Sequence, residues 1–188
     1  MHSVRVIKSW MLAGFLLLVL YGPAVAEIDL LSDDKLIEAT KAGDLTTAES
    51  ILARKHNVDV IDRNERTPLF FAASQGNEEL VDLLVRFNAR VNTSDKLGNS
   101  PLYYASSANH ANVIELLIEA KANLNFQNRQ GVTPLMVAAS EGHLAVVQVL
   151  LDGKADLSVT DFTGRTALDW AIRSGRKAVS RLLRRSGR

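Results

Sequence analysis

The feature that most constrains this chain is a short motif that returns every 33 residues. Thr67, Ser100, Thr133 and Thr166 each begin it, followed by Pro-Leu in the first three copies and by Ala-Leu in the fourth. An alanine stands three residues after each leucine, at positions 72, 105, 138 and 171. A fixed period of this length is typical of stacked repeats, whose units bury their apolar faces only against their neighbours. The sequence therefore predicts a repeat array whose function lies on its surface.

Each copy contains the signals of a hairpin followed by two short helices. Gly98, Gly131 and Gly164 stand two residues before the Ser or Thr, where a tight hairpin needs a positive φ. The Ser or Thr is expected to cap the first helix, with Pro at its first position in three copies. The expected ends of the first helices are Gly76, Asn109, Gly142 and Gly175. The second helices carry apolar residues spaced for one buried face, namely Leu80, Val81, Leu83 and Leu84, then Val113, Ile114, Leu116 and Leu117, then Val146, Val147, Val149 and Leu150.

The combination of hairpin, Thr-Pro-Leu, Ala-Ala, Gly-His and Val-x-x-Leu-Leu resembles the ankyrin repeat, most closely over residues 131–143. The resemblance implies an all-α repeat solenoid, an ankyrin stack of about five 33-residue hairpin-helix-helix units. The expected domain covers residues 27–188, with repeats at approximately 29–61, 62–94, 95–127, 128–160 and 161–188. The first repeat is degenerate and keeps Leu36, Ala39 and Gly43 in register. Because ankyrin arrays bind many different proteins, the resemblance implies a binding module without naming its partner.

Two departures from the family pattern limit what the resemblance implies. The glycine that usually ends the second helix is replaced by Asn88, Lys121 and Lys154, of which only Asn88 readily takes a left-handed conformation. The ends of two second helices are therefore not defined by the sequence. The family's Thr-Pro-Leu-His histidine is replaced in turn by Phe70, Tyr103, Met136 and Asp169. Any hydrogen bonding that this histidine provides is expected to be missing or replaced.

The first 26 residues have the pattern of a secretory signal peptide. Two basic residues precede an uncharged, largely apolar run at 10–20, and Ala24 and Ala26 form a small-residue cleavage pattern before Glu27. The alternative is an uncleaved membrane anchor, but a membrane span needs about 20 apolar residues and this run is shorter. We therefore expect cleavage before Glu27 and export across the inner membrane, with a bacterial periplasm as the destination.

Charge is distributed unevenly along the remaining chain. Residues 27–188 contain 20 basic and 21 acidic residues, a net charge of −1. The segment from Arg173 to Arg188 contains seven of the basic residues and no acid, which leaves 13 basic and 21 acidic residues before it. The simplest interpretation is a polar outer face on the last repeat. The alternative is contact between this segment and anionic lipid, an anionic envelope polymer or an acidic partner.

The sequence contains no recognisable catalytic constellation. After the predicted cleavage three histidines remain, His56, His110 and His143, and the last two occupy the Gly-His position of the family, where a structural hydrogen bond between repeats is expected. There is no His-Glu-x-x-His run, phosphate-binding glycine loop or nucleophile elbow. The lack of cysteine excludes a disulfide framework and a thiolate metal site. We therefore expect no enzyme activity, cofactor, metal or small-molecule substrate, and the acidic body argues against nucleic acid as a partner.

The resemblance places the binding surface on the hairpin tips and the first helices, which line the concave face of ankyrin stacks. The candidate residues for partner binding are Arg63, Glu65, Arg66, Phe70, Phe71, Lys96, Leu97, Asn99, Tyr103, Tyr104, Arg129, Gln130, Met136, Phe162, Arg165 and Trp170. Tyr, Trp and Arg are enriched among residues that dominate binding energy, so an aromatic centre flanked by Arg63, Arg66 and Arg129 is the preferred site. The alternative for Phe71 and Tyr104 is packing into the core, because a short helix buries only one side.

Three functions are consistent with an exported, non-catalytic array. The first is binding, and inhibition, of a secreted or periplasmic enzyme, as an immunity or self-protection protein. The second is an accessory factor that supports a periplasmic enzyme, for example in peroxide defence. The third is a tether to the envelope surface through the basic C-terminus. We expect the array to be a monomer, because its terminal repeats differ from the internal ones.

Overall fold

A computed structural model describes residues 34–187, which belong to one compact unit, Asp33–Arg188. The predicted signal peptide, the cleavage site at Ala24, Ala26 and Glu27, and the start of the first repeat lie outside the described residues. The buried core of the unit is one continuous cluster that runs from Leu36 in its first helix to Leu183 in its last. The unit therefore contains its own hydrophobic core.

The described residues form ten α-helices in five antiparallel pairs, and no strand is found among them. The first helices of the pairs are α1 (Lys35–Ala42), α3 (Pro68–Gln75), α5 (Pro101–Ser107), α7 (Pro134–Glu141) and α9 (Ala167–Arg173). The second helices are α2 (Leu45–Ala53), α4 (Glu78–Arg86), α6 (Ala111–Glu119), α8 (Leu144–Asp152) and α10 (Lys177–Ser186). Each first helix packs on the next first helix and each second helix on the next second helix. The predicted all-α repeat solenoid is confirmed.

The predicted caps form at three of the four first helices. The hydroxyls of Ser100, Thr133 and Thr166 accept hydrogen bonds from the backbone N–H three residues later, at 3.2–3.3 Å. The exception is Thr67, whose side chain makes no cap bond and whose buried hydroxyl has no partner. Here the prediction was wrong, and no neighbouring side chain compensates because the family's histidine position is the hydrocarbon ring of Phe70. At the last repeat, Asp169 replaces the histidine and accepts from the Thr166 N–H and hydroxyl at 2.9 and 2.7 Å.

The helix ends follow the 33-residue register even where the residue is unfavourable. The predicted first-helix ends take left-handed φ values of 66–85° at Gly76, Asn109, Gly142 and Gly175. The second helices also end alike, because Lys121 and Lys154 both adopt φ 67°. Left-handed backbone costs a residue with a Cβ about 1–2 kcal/mol. The stack therefore imposes this turn on the two lysines, although their own preferences oppose it.

Each hairpin is built around an Asp or Asn at its first residue. Asp62, Asp95, Asn128 and Asp161 donate their backbone N–H to the carbonyl four residues later. Their side-chain Oδ1 accepts the N–H groups two and four residues later, at 2.8–3.0 Å. One side-chain oxygen thus holds the whole tip, as expected for an Asx turn. The fourth residue is left-handed in every hairpin, and in the first hairpin it is Glu65, at φ 63°.

Three sets of hydrogen bonds join successive repeats. Backbone N–H groups of Lys96, Arg129 and Phe162 each donate to the carbonyl of the preceding hairpin tip, at 2.9–3.2 Å. In the connecting loops, side-chain oxygens of Asp59, Asn92 and Asn125 accept backbone N–H groups 31 residues later, at 2.7–3.0 Å. His110, His143 and Arg176 reach back to carbonyls of the previous first helix, at Ser74, Ser107 and Ser140 respectively. The predicted structural role of His110 and His143 is confirmed, and Arg176 performs the same role in the last repeat.

Candidate partner-binding surface

Equivalent hairpin residues lie in a row because consecutive hairpins are joined by backbone hydrogen bonds. The second residue of each hairpin is Arg63, Lys96, Arg129 or Phe162, and all four are exposed. Leu97, the third residue of its hairpin, is 65 % exposed, and Phe162 is 73 % exposed. We call these five residues the hairpin ridge. The ridge presents two large apolar side chains and three cations on a backbone that is already ordered.

The hairpin carboxylates contribute little to this exposed surface because they are used to fold the turns. Asp95 and Asp161 are 5 % exposed, and the Asp62 side chain is bound by the Arg66 guanidinium at 2.8 Å. Burial raises the pKa of Asp161, but hydrogen bonds from Thr163, Arg165 and Trp170 outweigh it and bring the pKa to about 2. Among the described hairpin residues, Glu65 is the one exposed acid. The accessible side chains of the ridge are therefore mainly cationic and apolar.

Tyr104 and Trp170 both bind the first residue of their own hairpin. The Tyr104 hydroxyl donates to Asp95 Oδ2 at 2.6 Å, and Trp170 Nε1 donates to Asp161 Oδ2 at 3.0 Å. Burial raises the pKa of Tyr104, and the bond to Asp95 raises it further. Both rings remain half-buried, so their edges are accessible while their polar atoms are occupied. Each ring is therefore tied to its own hairpin and keeps part of its surface accessible.

Several aromatic and polar candidates lie inside the stack. Phe70 and Met136 are 1 % exposed, Asn99 is 6 % exposed and Phe71 is 8 % exposed. Phe70 is covered by the Tyr104 ring of the next repeat, with ring centroids 5.8 Å apart, and Asn99 Oδ1 accepts from Asn128 Nδ2 at 2.9 Å. These four residues are therefore removed from the candidate surface. For Phe71 the core alternative describes its position, because its side chain is buried.

The remaining candidates are partly or fully accessible. Tyr103 is half-buried against Tyr104, with centroids 5.9 Å apart, and burial followed by the charges of Glu141 and Asp95 raises its pKa. Gln130 is exposed beside Arg129, and Arg165 is half-buried at the last hairpin. Arg66 lies 4.6 Å from the centre of the Phe71 ring. Of the four aromatics expected at the centre, Tyr103 and Tyr104 are adjacent and half-buried, whereas Phe70 and Phe71 are buried. A partner site there stays a prediction.

Two accessible side chains that the sequence interpretation missed lie at the ends of the first-helix row. Lys41 Nζ lies 4.8 Å from the centre of the Phe71 ring, so cations approach that ring from both α1 and the first hairpin. Ile172 is 49 % exposed on α9, although its register equivalents Ala73 and Ala139 are fully buried. The 33-residue register could have predicted the position of Lys41, because Lys41 lies 33 residues before Ser74, a residue of the first-helix row.

The basic C-terminal segment contains one cation that stacking explains and several that it does not. Arg176 Nε donates to Ser140 O at 2.8 Å and therefore belongs to the inter-repeat set. Arg173, Lys177, Arg181 and Arg184 are exposed. These cations lie on α9 and α10, whereas the hairpin ridge is formed by the hairpins.

Neither a metal site nor a membrane-spanning helix is found in the described part of the chain. No three His, Asp or Glu side chains of residues 34–187 approach one another in a way that could hold a metal ion. Over the same range, no helix has both the length and the apolar character to cross a bilayer.

Comparison with known families agrees with the geometry. The family model described as ankyrin repeats (3 copies) matches residues 36–128 and 117–187, which together span nearly all of the described residues. No curated protein matches the chain. Ankyrin repeats are protein-protein interaction modules and are generally non-catalytic. The chain belongs to the ankyrin-repeat family.

Proposed function

We propose that this protein binds a secreted or periplasmic partner protein through the hairpin ridge and the adjoining edges of Tyr103 and Tyr104. The observation that carries the proposal is the ridge itself, where Lys96 and Arg129 flank the exposed Leu97. Exposed apolar side chains on an ordered backbone are the pattern expected for a contact surface. The partner face that fits is acidic with an apolar centre, because complementary charge speeds association and fixes orientation.

The export and the cellular role belong to this proposal. The apolar segment before Glu27 supports a position outside the cytoplasm. Inhibition of a secreted enzyme is the first role to test, because a preformed array loses little conformational entropy on binding and can cover an active-site mouth. Support of a periplasmic enzyme is the alternative, and the two differ in whether the bound enzyme's activity falls or rises.

The test is capture of proteins from the soluble envelope fraction on immobilised Asp33–Arg188. The informative variant is Lys96→Gln with Arg129→Gln, since both side chains are exposed and neither forms an ion pair among the described residues. Tyr104→Ala is a poor choice because it would remove the bond to Asp95 and the packing on Phe70. The matched control is Arg181→Gln with Arg184→Gln, which removes the same charge at the other surface.

The expected result is one enzyme that is retained by wild type and by the control but released by the Lys96/Arg129 variant. Removing two interface cations is expected to weaken binding at least tenfold, about 1.4 kcal/mol. Equal capture by all three proteins would place the contact elsewhere. Activity of the purified partner, measured with and without the array, then separates inhibition from support.

A further inference from the structure

We propose that the last repeat holds the protein against an anionic membrane surface through a basic end face. This end face consists of Ile172, Lys177, Ser180, Arg181 and Arg184, which line a groove of about 490 Å³ together with Gly175. The groove lies between α9 and α10, on the side where an internal repeat would receive its next neighbour. The surface is independent of the hairpin ridge, so failure of one proposal leaves the other standing.

Capping explains the polarity of the end face. Ser180, which is 9 % exposed, takes the position of Val81, Ile114 and Val147, which are 0 % exposed in the internal repeats. Arg184 takes the position of Val85, Ile118 and Leu151, which pack against the core. A repeat whose outer side faces water needs such polar replacements. The requirement concerns polarity alone, however, and serine, glutamate or glutamine would meet it as well as arginine.

The sign of the charge is what capping leaves unexplained. The exposed faces of the internal second helices are mainly acidic, as at Glu78, Glu79 and Glu115. The segment 170–187 has six basic residues and no acid. Among the described residues, none of the exposed cations Lys177, Arg181 and Arg184 forms an ion pair. The cations are therefore available to a ligand of opposite charge.

Helix stability does not explain the cations either. Positive charge near a helix N-terminus opposes the helix dipole, and α10 begins with Arg176 as its cap and Lys177 as its first residue. In contrast, α4 begins with Glu78 and Glu79, which favour the dipole. Lys177 is thus placed where it does not help the fold.

Spacing and an exposed apolar side chain favour a lipid surface as the ligand. Lys177, Arg181 and Arg184 stand at i, i+4 and i+7, so they lie along one face of α10 over about 10 Å. Ile172, half-exposed in the same groove, supplies an apolar contact below the cations. Clusters of four or more basic residues on one helix are typical of binding to anionic lipid headgroups. Lys177, Arg181, Arg184 and Arg185 of α10 meet that condition.

The experiment is cosedimentation of Asp33–Arg188 with vesicles of phosphatidylcholine containing 30 % phosphatidylglycerol as a chosen probe, roughly the anionic content that gives a strongly negative surface. The fragment forms a compact unit with its own core, and it lacks the apolar segment that would bind vesicles by itself. Wild type is compared with Arg181→Gln/Arg184→Gln and with Lys96→Gln/Arg129→Gln, which removes the same charge from the hairpin ridge. Circular dichroism verifies that all three are folded.

We expect wild type and the ridge variant to bind the anionic vesicles and to ignore pure phosphatidylcholine. The end-face variant should lose about 25-fold in partition coefficient, since each cation near an anionic leaflet contributes roughly a fivefold factor. Raising the salt from about 0.1 to 0.5 M should release the bound protein. Equal losses in the two variants, or no binding to anionic vesicles, would overturn the proposal. Capture of a soluble protein through Arg181 and Arg184 without vesicle binding would overturn it as well.

Discussion

The fourth and the last repeat share their framework but differ at several side chains on the side where the fourth meets the next repeat. Both have an Asx turn, a capped first helix and a left-handed first-helix end, at Gly142 and Gly175. The differences are concentrated on the outer side, where Val147 becomes Ser180 and Leu151 becomes Arg184. Residues that fold one repeat are therefore kept, while residues that join two repeats are free to change at the end of the stack.

This comparison separates two kinds of exposed residue. An exposed residue in an internal repeat, such as Arg129, remains exposed although both neighbours are present. An exposed residue in the last repeat, such as Ile172, lies at a position that the next repeat covers in the internal repeats. An exposed residue of an internal repeat indicates a partner more directly. An exposed residue of the last repeat indicates a partner only when it has a property, such as positive charge, that a polar outer face does not require. The positive charge of the end face meets that condition.

The largest expected difference in stability between the two repeats is that between Gly131→Ala and Gly164→Ala. Both glycines are left-handed, at φ 78° and 81°, so both substitutions cost about 1 kcal/mol for the backbone alone. A Cβ at Gly131 would also lie 2.6 Å from the backbone nitrogen of Phe162, whereas a Cβ at Gly164 meets nothing within 4 Å. We expect urea unfolding to show a loss of about 3 kcal/mol for Gly131→Ala and about 1 kcal/mol for Gly164→Ala.

Equal losses for the two alanine variants would show that the hairpins are not held in contact by the backbone ladder. The variants are matched because each changes the same hairpin position, and the left-handed cost cancels in their difference. That difference therefore measures how rigidly the ridge is stacked, which the proposed docking of a preformed surface requires.

A smaller effect is expected from the side chains that reach back to the previous repeat. His143 Nε2 lies 3.0 Å from Ser107 O and carries the proton there, because a carbonyl oxygen only accepts. His143→Ala leaves a partly buried carbonyl without a donor and should cost about 1–2 kcal/mol. Arg176→Ala removes the equivalent bond at an exposed site, where water replaces it, and should cost about 0.5 kcal/mol or less. Denaturant unfolding measures both losses. If Arg176→Ala lowers the free energy of unfolding more than His143→Ala does, the exposed bond of Arg176 contributes more to stability than the partly buried bond of His143.

The repeat architecture and the ends of the first helices could be predicted because they depend on local chemistry. Pro after Ser or Thr starts a helix, and Gly or Asn permits the left-handed turn that ends it. Lys121 and Lys154 end their helices without such chemistry, because the packing of the neighbouring repeats fixes the turn. Register was a better guide there than residue type.

The candidate surface was harder to predict because its exposure depends on residues about 30 positions away. Asparagine is common in exposed turns, yet Asn99 is covered by the side-chain amide of Asn128 in the next repeat. Phe70 is covered by Tyr104, and the Tyr104 hydroxyl is occupied by an aspartate nine residues earlier. Lys96, Leu97, Arg129 and Phe162 were predicted to lie at hairpin tips and are exposed there, since the tip is the part of each repeat that stacking leaves uncovered.

The smallest effect is expected from Asp161→Asn, which gives the last hairpin the asparagine that the fourth hairpin has at Asn128. Asp161→Asn keeps an Oδ1 that accepts the Thr163 and Arg165 N–H groups but puts an amide nitrogen where Trp170 Nε1 donates. Because the pKa of Asp161 is about 2, below its usual 3.8, ionised Asp161 stabilises the fold above about pH 4. That contribution is lost as the pH falls from about 4 to 2. We expect Asp161→Asn to cost up to about 1 kcal/mol at pH 7 and almost nothing near pH 2, since wild-type Asp161 is by then becoming protonated.

Trp170 is the single tryptophan of Asp33–Arg188, so its fluorescence reports this hairpin while circular dichroism reports the whole stack. A difference between variant and wild type that does not change with pH would mean that geometry, and not charge, sets the role of Asp161.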